Sequence, residues 1–335
     1  MPTTPTIKGE IVQDFLSRYP DTPSHTLSRM IYKENPSVFK DSETVRGIVR
    51  NYRGASGTNI VKNNQFVREK QKPFSFPKLP EGITSLKNWD IVKINGDNSI
   101  LMLGDIHIPY HCKTAIELAV KTGKKHKVSM ILLNGDIADI FNLSRWEKDP
   151  RERKFPYELQ TCIQFFDWLR NQFPNAQIIF KKGNHEERYE SYMKIKAAEL
   201  LEIANFEFER VFQLENFGIE CIGDKKPIKF NELVVIHGHE YKFAISNPVN
   251  PARGLYLKSK VNAITHHFHQ SSQHSEKNIE DKVTSCWSLG CLSELHPQYM
   301  PLNKWNHGFA IVETSGDKLF NVLSYKIIDN NVYSE

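Results

Sequence analysis

Cysteine is scarce and unpatterned in this chain. Five occur in 335 residues, Cys112, Cys162, Cys221, Cys286 and Cys291. Their number is odd, they are scattered, and no two have C-x-x-C spacing. This argues against a disulfide framework or a zinc knuckle and makes a reducing cytoplasm the expected compartment. Long apolar runs are missing too. No stretch reaches eighteen apolar residues, and the N-terminus does not pass from charged to apolar, so membrane-spanning and secretory readings fail. Beyond residue 72 there is no net charge. Residues 1–72 carry twelve Lys/Arg against seven Asp/Glu, an excess equal to the +5 of the whole chain.

That basic segment reads as helical. Residues 7–20 (IKGEIVQDFLSRYP) form a short amphipathic helix closed by Pro20. Ser24 is placed to cap a second helix, Thr26 to Glu34, ending before Pro36. Ser42 is placed to cap a third that runs to Tyr52 and stops at Gly54. In the third helix Val45, Ile48, Val49 and Tyr52 share a face, and Arg46, Arg50 and Arg53 share its neighbour. Three short helices, the last with an arginine stripe, are similar to a helix-turn-helix module, which would place these arginines on nucleic-acid phosphates. A solvated face on a small docking domain fits the same pattern. Residues 54–80 carry Gly, Ser, Asn, Lys and three prolines with no sustained period. The expected division is a helical domain over 1–54, a linker or extended segment over 55–95, and a larger domain over 96–335.

The larger domain is organised around Met130–Asp139 (MILLNGDIAD). An apolar strand stops at Asn134–Gly135 and presents Asp136 and Asp139, which puts acids at the rim of a sheet, where open α/β sheets hold ligands. Other apolar runs end the same way. Ser99–Leu103 leads to Asp105-x-His107, Gln177–Phe180 to Asn184–His185–Glu186, Leu233–Ile236 to His237, and Val261–Thr265 to His267-x-His269. Together these ends read as a two-metal site. Asp136, directly after Gly135, is the natural bridging carboxylate. Asn184 offers a neutral oxygen, and His185 can give a proton without being a ligand. Asp139 can equally be an acid satisfying free N–H groups at a helix start. Arg145, Arg188 and His239 are candidate contacts to substrate phosphate, with His111 weaker. Arg145 could instead pair with Glu147 or Asp149, and Arg188 could be an exposed helix charge.

Asp105-x-His107, Gly135–Asp136-x-x-Asp139, Gly183–Asn184–His185–Glu186, His237 and His267-x-His269 resemble the motifs of the calcineurin-like metallophosphoesterases. Asp105–His111, Ser144–Pro150 and Asn306–Ala310 look most like the branch common in bacteriophages and their hosts. The resemblance implies an α/β fold, a four-layer α-β-β-α sandwich, here preceded by a small all-α N-terminal domain. It also implies that Asp105, His107, Asp136 and His269 hold one divalent ion and that Asp136, Asn184, His237 and His267 hold a second. His185, oriented by Asp139, would then be the catalytic acid or charge stabiliser. Manganese is the expected metal, with iron, zinc, nickel and magnesium also suiting these donors.

Two departures stand out. His266 occupies a position that is usually Gly and is expected to need an unusual backbone angle. Ile140 replaces the Arg that follows the second aspartate in Ser/Thr protein phosphatases, which weighs against phosphoproteins. The expected activity is hydrolysis of nucleic-acid phosphodiesters by a phage or bacterial cytoplasmic enzyme. The alternatives are a phosphatase or phosphodiesterase for small nucleotides or phosphoproteins, and a nucleic-acid-binding protein with a vestigial metal site.

Overall fold

The computed structural model describes residues 6–54, 79–84, 89–146, 155–241 and 249–334. By internal contacts the chain divides into two compact units, Met1–Thr84 and Ser85–Glu335.

In the first unit α1 (Ile7–Arg18), α2 (Ser24–Glu34) and α3 (Ser42–Tyr52) bury Val12, Phe15, Leu16, Leu27, Ile31, Val45 and Val49 against one another. The apolar positions recur at helical spacing, and that shared face is what orders such short helices. The caps fall one residue before the expected serines. Pro23 precedes α2 without a side-chain cap. Asp41 caps α3, its carboxylate accepting from Thr44 N at 2.7 Å. That backbone bond holds Asp41 below the usual carboxylate range.

The arginine stripe is only partly as expected. Arg53 does not share the exposure of the rest of the stripe. It is buried, donating to Ser24 Oγ and Pro20 O, both at 2.9 Å, so it ties the end of α3 to the start of α2. Arg46 pairs with Glu43 at 3.0 Å, and Arg50 is exposed.

The second unit contains, in order, β1 (Val92–Ile94), β2 (Asn98–Leu103), α4 (Lys113–Lys125), β3 (Met130–Asn134), α5 (Phe155–Gln172), β4 (Gln177–Lys181), α6 (Glu186–Lys196), α7 (Phe208–Val211), β5 (Ile219–Ile222), β6 (Ile228–Phe230), β7 (Leu233–Val235), α8 (Pro251–Ser259), β8 (Ala263–Thr265), β9 (Ser272–Lys277), β10 (Val283–Ser288), β11 (His307–Ser315), β12 (Leu319–Ile328) and β13 (Asn331–Ser334). Among the described residues these strands make two sheets. The seven-stranded sheet has the order β13-β12-β11-β2-β3-β4-β5, and the six-stranded sheet β1-β6-β7-β8-β10-β9. β1 lies inside the segment expected to be a linker, yet it pairs in parallel with β6 and so belongs to the second unit.

Side-chain alternation explains how the sheets pack. Ile100, Met102, Leu132 and Ile179 point from the seven-stranded sheet towards Phe230, Leu233, Val235 and Ile264 of the other. Leu101, Leu103, Ile131, Leu133 and Phe180 point the opposite way, onto α4 and α5. Strands β2, β3 and β4 are therefore buried on both faces, which is why they read as continuous apolar runs. On the far face of the six-stranded sheet, Ala252 and Leu255 of α8 pack on Ala263 and Cys286.

One buried ion pair joins the ends of β4 and β7. Lys181 Nζ lies 2.6 Å from Glu240 Oε1, with side chains 1% and 9% exposed. Glu240 also accepts from His237 N at 3.0 Å and Gly238 N at 2.7 Å. Burial opposes its charge, but Lys181 and His239 outweigh burial and hold its pKa down at about 2. A depressed carboxyl contributes stability that is present above its unfolded value, near 4.5, and is lost as pH falls towards 2. Lys181→Met is expected to lower the unfolding free energy by ~3–5 kcal/mol, because it strands a buried charge. The double variant Lys181→Met/Glu240→Gln should lose less. Urea titrations of the three proteins at neutral pH check both statements.

Candidate metal centre

The parallel strands β2, β3 and β4 end side by side in one sheet, and β7 and β8 end side by side in the other. The five motifs follow these ends directly, so their donor atoms meet between the two sheets. Several donors sit on left-handed backbone, with φ of 49° at Asp105, 51° at His107, 53° at Asp136, 74° at His267 and 55° at His269. Asp and His tolerate that region better than branched residues do. Gly135 and Gly183 allow the close approach. A Cβ on Gly135 would strike His237 Nδ1, and one on Gly183 would strike Asp136 Oδ1.

Asp136 is central. Its Oδ1 accepts from His185 N at 2.9 Å. Its Oδ2 lies 3.2 Å from His237 Nε2, 3.7 Å from His185 Nε2 and 4.0 Å from His107 Nε2. Asp105 accepts from His267 N at 2.7 Å, and its carboxylate is 3.9 Å from His237 Nε2 and 3.7 Å from His269 Nε2. The Nε2 atoms of His107 and His269 stand 3.1 Å apart. Asp105, His107 and His269 form one group able to hold a cation, and Asp136, His237 and His267 form a second. Buried oxygens there lack hydrogen-bond partners, among them Asp105 Oδ1 and Asn184 Oδ1, and His237 Nε2 faces the Asp136 and Asp105 carboxylates. Unpartnered buried polar atoms are rare. Carboxylate and amide oxygens left unpaired, with imidazole nitrogens gathered beside them, fit divalent cations.

The buried charges act on one another. Burial drives Asp105 up to about 7, helped by Asp136 and opposed by His237 and His107. Burial would discharge His237, yet Asp136 and Asp105 raise it to about 10. Burial brings His267 down to about 3, with the His237 charge adding to it.

Asp139 sits beside the centre. Its carboxylate lies 3.2 Å from Nδ1 of both His107 and His185 and so aims both rings. His185 Nδ1 also lies 2.7 Å from Asp139 O, while Arg188 reaches His185 Nε2 at 2.8 Å and donates to Asp139 O at 2.8 Å. Since guanidinium only donates, His185 carries its proton on Nδ1 and accepts at Nε2. Arg188 is thus folded into the site, half-buried, and not an exposed helix charge.

His239 pairs with Glu187 at 3.0 Å. The Arg145 guanidinium lies 5.1 Å from the centre of the Trp146 ring, and its suggested partners Glu147 and Asp149 lie outside the described residues. His111 is not part of the cluster and lines another hollow with Lys113, Phe165 and Trp168. His266 is fully buried, its Nδ1 3.0 Å from Asn134 Nδ2. The left-handed angles expected at His266 occur instead at His267 and His269, and room for its ring comes from Gly104, where a Cβ would lie 2.6 Å from it.

Three supporting acids carried no assigned role in the sequence reading. Glu186 is fully buried and accepts from Asp136 N at 2.9 Å, Ile137 N at 2.8 Å, Ala138 N at 3.1 Å and Gly183 N at 2.8 Å. Glu158 accepts from Ile140 N. Glu240 does the same for the His237–Gly238 turn. Glu240 could have been suspected from its place three residues past His237, the spacing of a side chain that caps its own turn. Glu158 left no such signal, since its partner is eighteen residues away.

Residues 99–289 match the family model for the calcineurin-like phosphoesterases. The chain belongs to that family. Calcineurin-like phosphoesterases typically bind two divalent metals, and three overlapping donor groups lie here, the third being His107, Asp139 and His185, which shares His107 with the first. No curated protein matches the sequence in a direct search. Solved structures similar to this calcineurin-like phosphoesterase include Vacuolar Protein Sorting 29 from Cryptosporidium parvum, at 16% identity, TM-score 0.39, covering 72% of this chain and 96% of that one. The E. coli phosphoesterase Yfce matches at 11% identity and TM-score 0.34, covering 71% and 98%. A dimetal phosphatase from Danio rerio matches at 11% identity and TM-score 0.33, covering 67% and 98%.

Two measurements follow from the supporting acids. Glu186→Gln should weaken divalent-metal binding by about 10–100-fold, read by calorimetry, because the Asp136 loop loses its anchor. Glu158 is pushed up to about 8, by burial first and by the Asp139 charge. An acid with a raised folded pKa destabilises the fold as pH rises from its unfolded value, near 4.5, to about 8. Glu158→Gln should therefore flatten the decline of unfolding free energy across that window, and an unchanged decline would show that Glu158 is not its source.

Proposed function

We propose that this protein is a dinuclear-metal-dependent phosphoesterase that cleaves phosphodiester bonds of nucleic acid, as in the bacteriophage and bacterial branch it resembles. The observation that carries the reading is the set of unpartnered buried donors gathered around Asp136. One divalent ion would be held by Asp105, His107, Asp136 and His269, the second by Asp136, Asn184, His237 and His267, with manganese the expected metal. Bound there, two such ions supply positive charge for the phosphoryl oxygens and acidify water near neutral pH. The chain's own groups do the rest. Asp139 fixes the His107 and His185 rings. Arg188 carries a permanent positive charge beside the space a phosphoryl group would fill. His185 accepts at Nε2 while Arg188 contacts it; with Arg188 turned to the phosphate, Nε2 is free to take a proton from water and pass it to the leaving oxygen, while Asp139 keeps the Nδ1 proton. Two packed sheets with α4, α5 and α6 outside one and α8 outside the other are read as the four-layer sandwich, with the three-helix unit as a separate domain ahead of it.

A second reading, hydrolysis of small nucleotides, uses the same centre. It is favoured by the burial of Arg53 and the pairing of Arg46, which leave Arg50 as the exposed member of the stripe. The intact donor set argues against a vestigial site.

The Mn²⁺-loaded protein is expected to hydrolyse bis-p-nitrophenyl phosphate faster than p-nitrophenyl phosphate and to cut DNA. Asp136→Asn should lower both rates by roughly a hundredfold or more. Monoester turnover with intact DNA would select the second reading, and no turnover of any ester would reject both. Arg50→Glu should weaken DNA binding and reduce its salt slope by about one if the helical unit contacts phosphate. An unchanged slope would remove that unit from the nucleic-acid surface.

A further inference from the structure

A cleft of about 580 Å³ opens over the donor atoms, a volume suited to a small organic group. Its floor is the metal centre, and its walls are aromatic. Phe141 and Trp146 come from the segment after β3, and Tyr299 and Trp305 from the segment between β10 and β11. The cleft continues in two directions. One hollow, of about 550 Å³, shares Trp146, Asn184 and Arg188 and runs along α6 past Tyr192 to Lys196. Another, of about 200 Å³, shares Tyr299 and Trp305 and reaches Glu294. Trp146 thus stands towards one end of the cleft, and Tyr299 and Trp305 towards the other.

Trp146 is 59% exposed and Tyr299 66%. Trp305 is held in place by the His269 ring, centroids 4.1 Å apart, with Tyr299 6.3 Å beyond it. Exposed rings at both ends of one cleft, with Arg188 between them and Arg145 and Lys196 in the hollow that continues it, have the composition of a strand-binding groove. Flat apolar walls gain most from flat apolar partners, and the nucleobase is the flat group that accompanies a phosphodiester. A duplex cannot use such walls, since its bases are already stacked and paired. Charge agrees on the α6 side, where Arg145, Arg188 and Lys196 face the groove and Glu187 is neutralised by Lys225 at 3.3 Å and engaged by His239.

We propose that this cleft is a base-stacking subsite for single-stranded nucleic acid, with Trp146 and Tyr299 holding the nucleobases on either side of the phosphate. The inference rests on the phosphoesterase reading for the position of that phosphate. It is tested by equilibrium binding of the full chain, with Ca²⁺ in place of Mn²⁺ to suppress turnover. The probes are a fluorescent oligothymidylate, an oligouridylate, an abasic strand of the same length and charge, and the corresponding duplex. Base-bearing single strands should bind at least tenfold more tightly than the abasic strand or the duplex. Trp146→Ala and Tyr299→Ala should each remove roughly tenfold of that affinity and leave abasic binding unchanged, while Trp146→Phe retains it. Stacking on Trp146 should also quench tryptophan fluorescence, and Trp146→Phe should lose that quench. Base-dependent binding of either sugar upholds the proposal and says which strand is preferred. Equal affinity for base-bearing and abasic strands, or a base preference that survives in both alanine variants, overturns it. Base-dependent binding by a protein that hydrolyses no ester would reject the phosphoesterase reading and keep the subsite. Hydrolysis without base dependence would do the reverse.

Discussion

The fully buried carboxylate of Glu186 accepts four backbone N–H groups, from Gly183, Asp136, Ile137 and Ala138, and the rest of the centre depends on it. The loops after β3 and β4 would otherwise bury unsatisfied donors, each at about 1–3 kcal/mol. With those donors satisfied, the two loops are pinned together. Asp136 then points its carboxylate at three imidazoles, and His185 N can donate to that same carboxylate. The same device recurs across the site. Glu240 holds the turn that carries His237, and Glu158 holds Ile140 next to Asp139. Acids that hold backbone surround acids and imidazoles that could hold metal.

Asp139 shows how one carboxylate can serve two neighbours. Its contacts to His107 and His185 place a proton on Nδ1 of each ring and leave each Nε2 facing the space around Asp136. One of those rings belongs to a donor group, and the other lies beside Arg188. A single side chain therefore orients both a ring of one donor group and the ring proposed as proton donor, and Arg188 contacts both Asp139 O and His185 Nε2.

Much of this was legible in the sequence, for a physical reason. Strands buried on both faces leave unbroken apolar runs, and chemistry placed at strand ends follows those runs at once, so MILLNGD and SILMLGDIH announce both the strand and its cargo. Features held by distant partners were not legible. The arginine period of α3 was real, but Arg53 is taken up by Ser24 and Pro20, some thirty residues earlier. The backbone demand near His266 was sensed one and three residues too early, since the left-handed angles fall at the two donors His267 and His269, while Gly104 makes the room for the His266 ring. β1 was hidden by brevity, since a three-residue strand has too little pattern to show. Trp146 lies far in sequence from Tyr299 and Trp305, and only the fold gathers the three over one floor.

The left-handed backbone at five of the donor residues carries a further meaning. A residue there must satisfy two requirements, an atom that can bind a cation and a side chain that tolerates positive φ. Aspartate, asparagine and histidine meet both. The choice of Asp and His at these positions is therefore as much a record of backbone geometry as of any cation's preference for hard or soft donors. Exchanging a donor to retune the centre would mean rebuilding the loop beneath it.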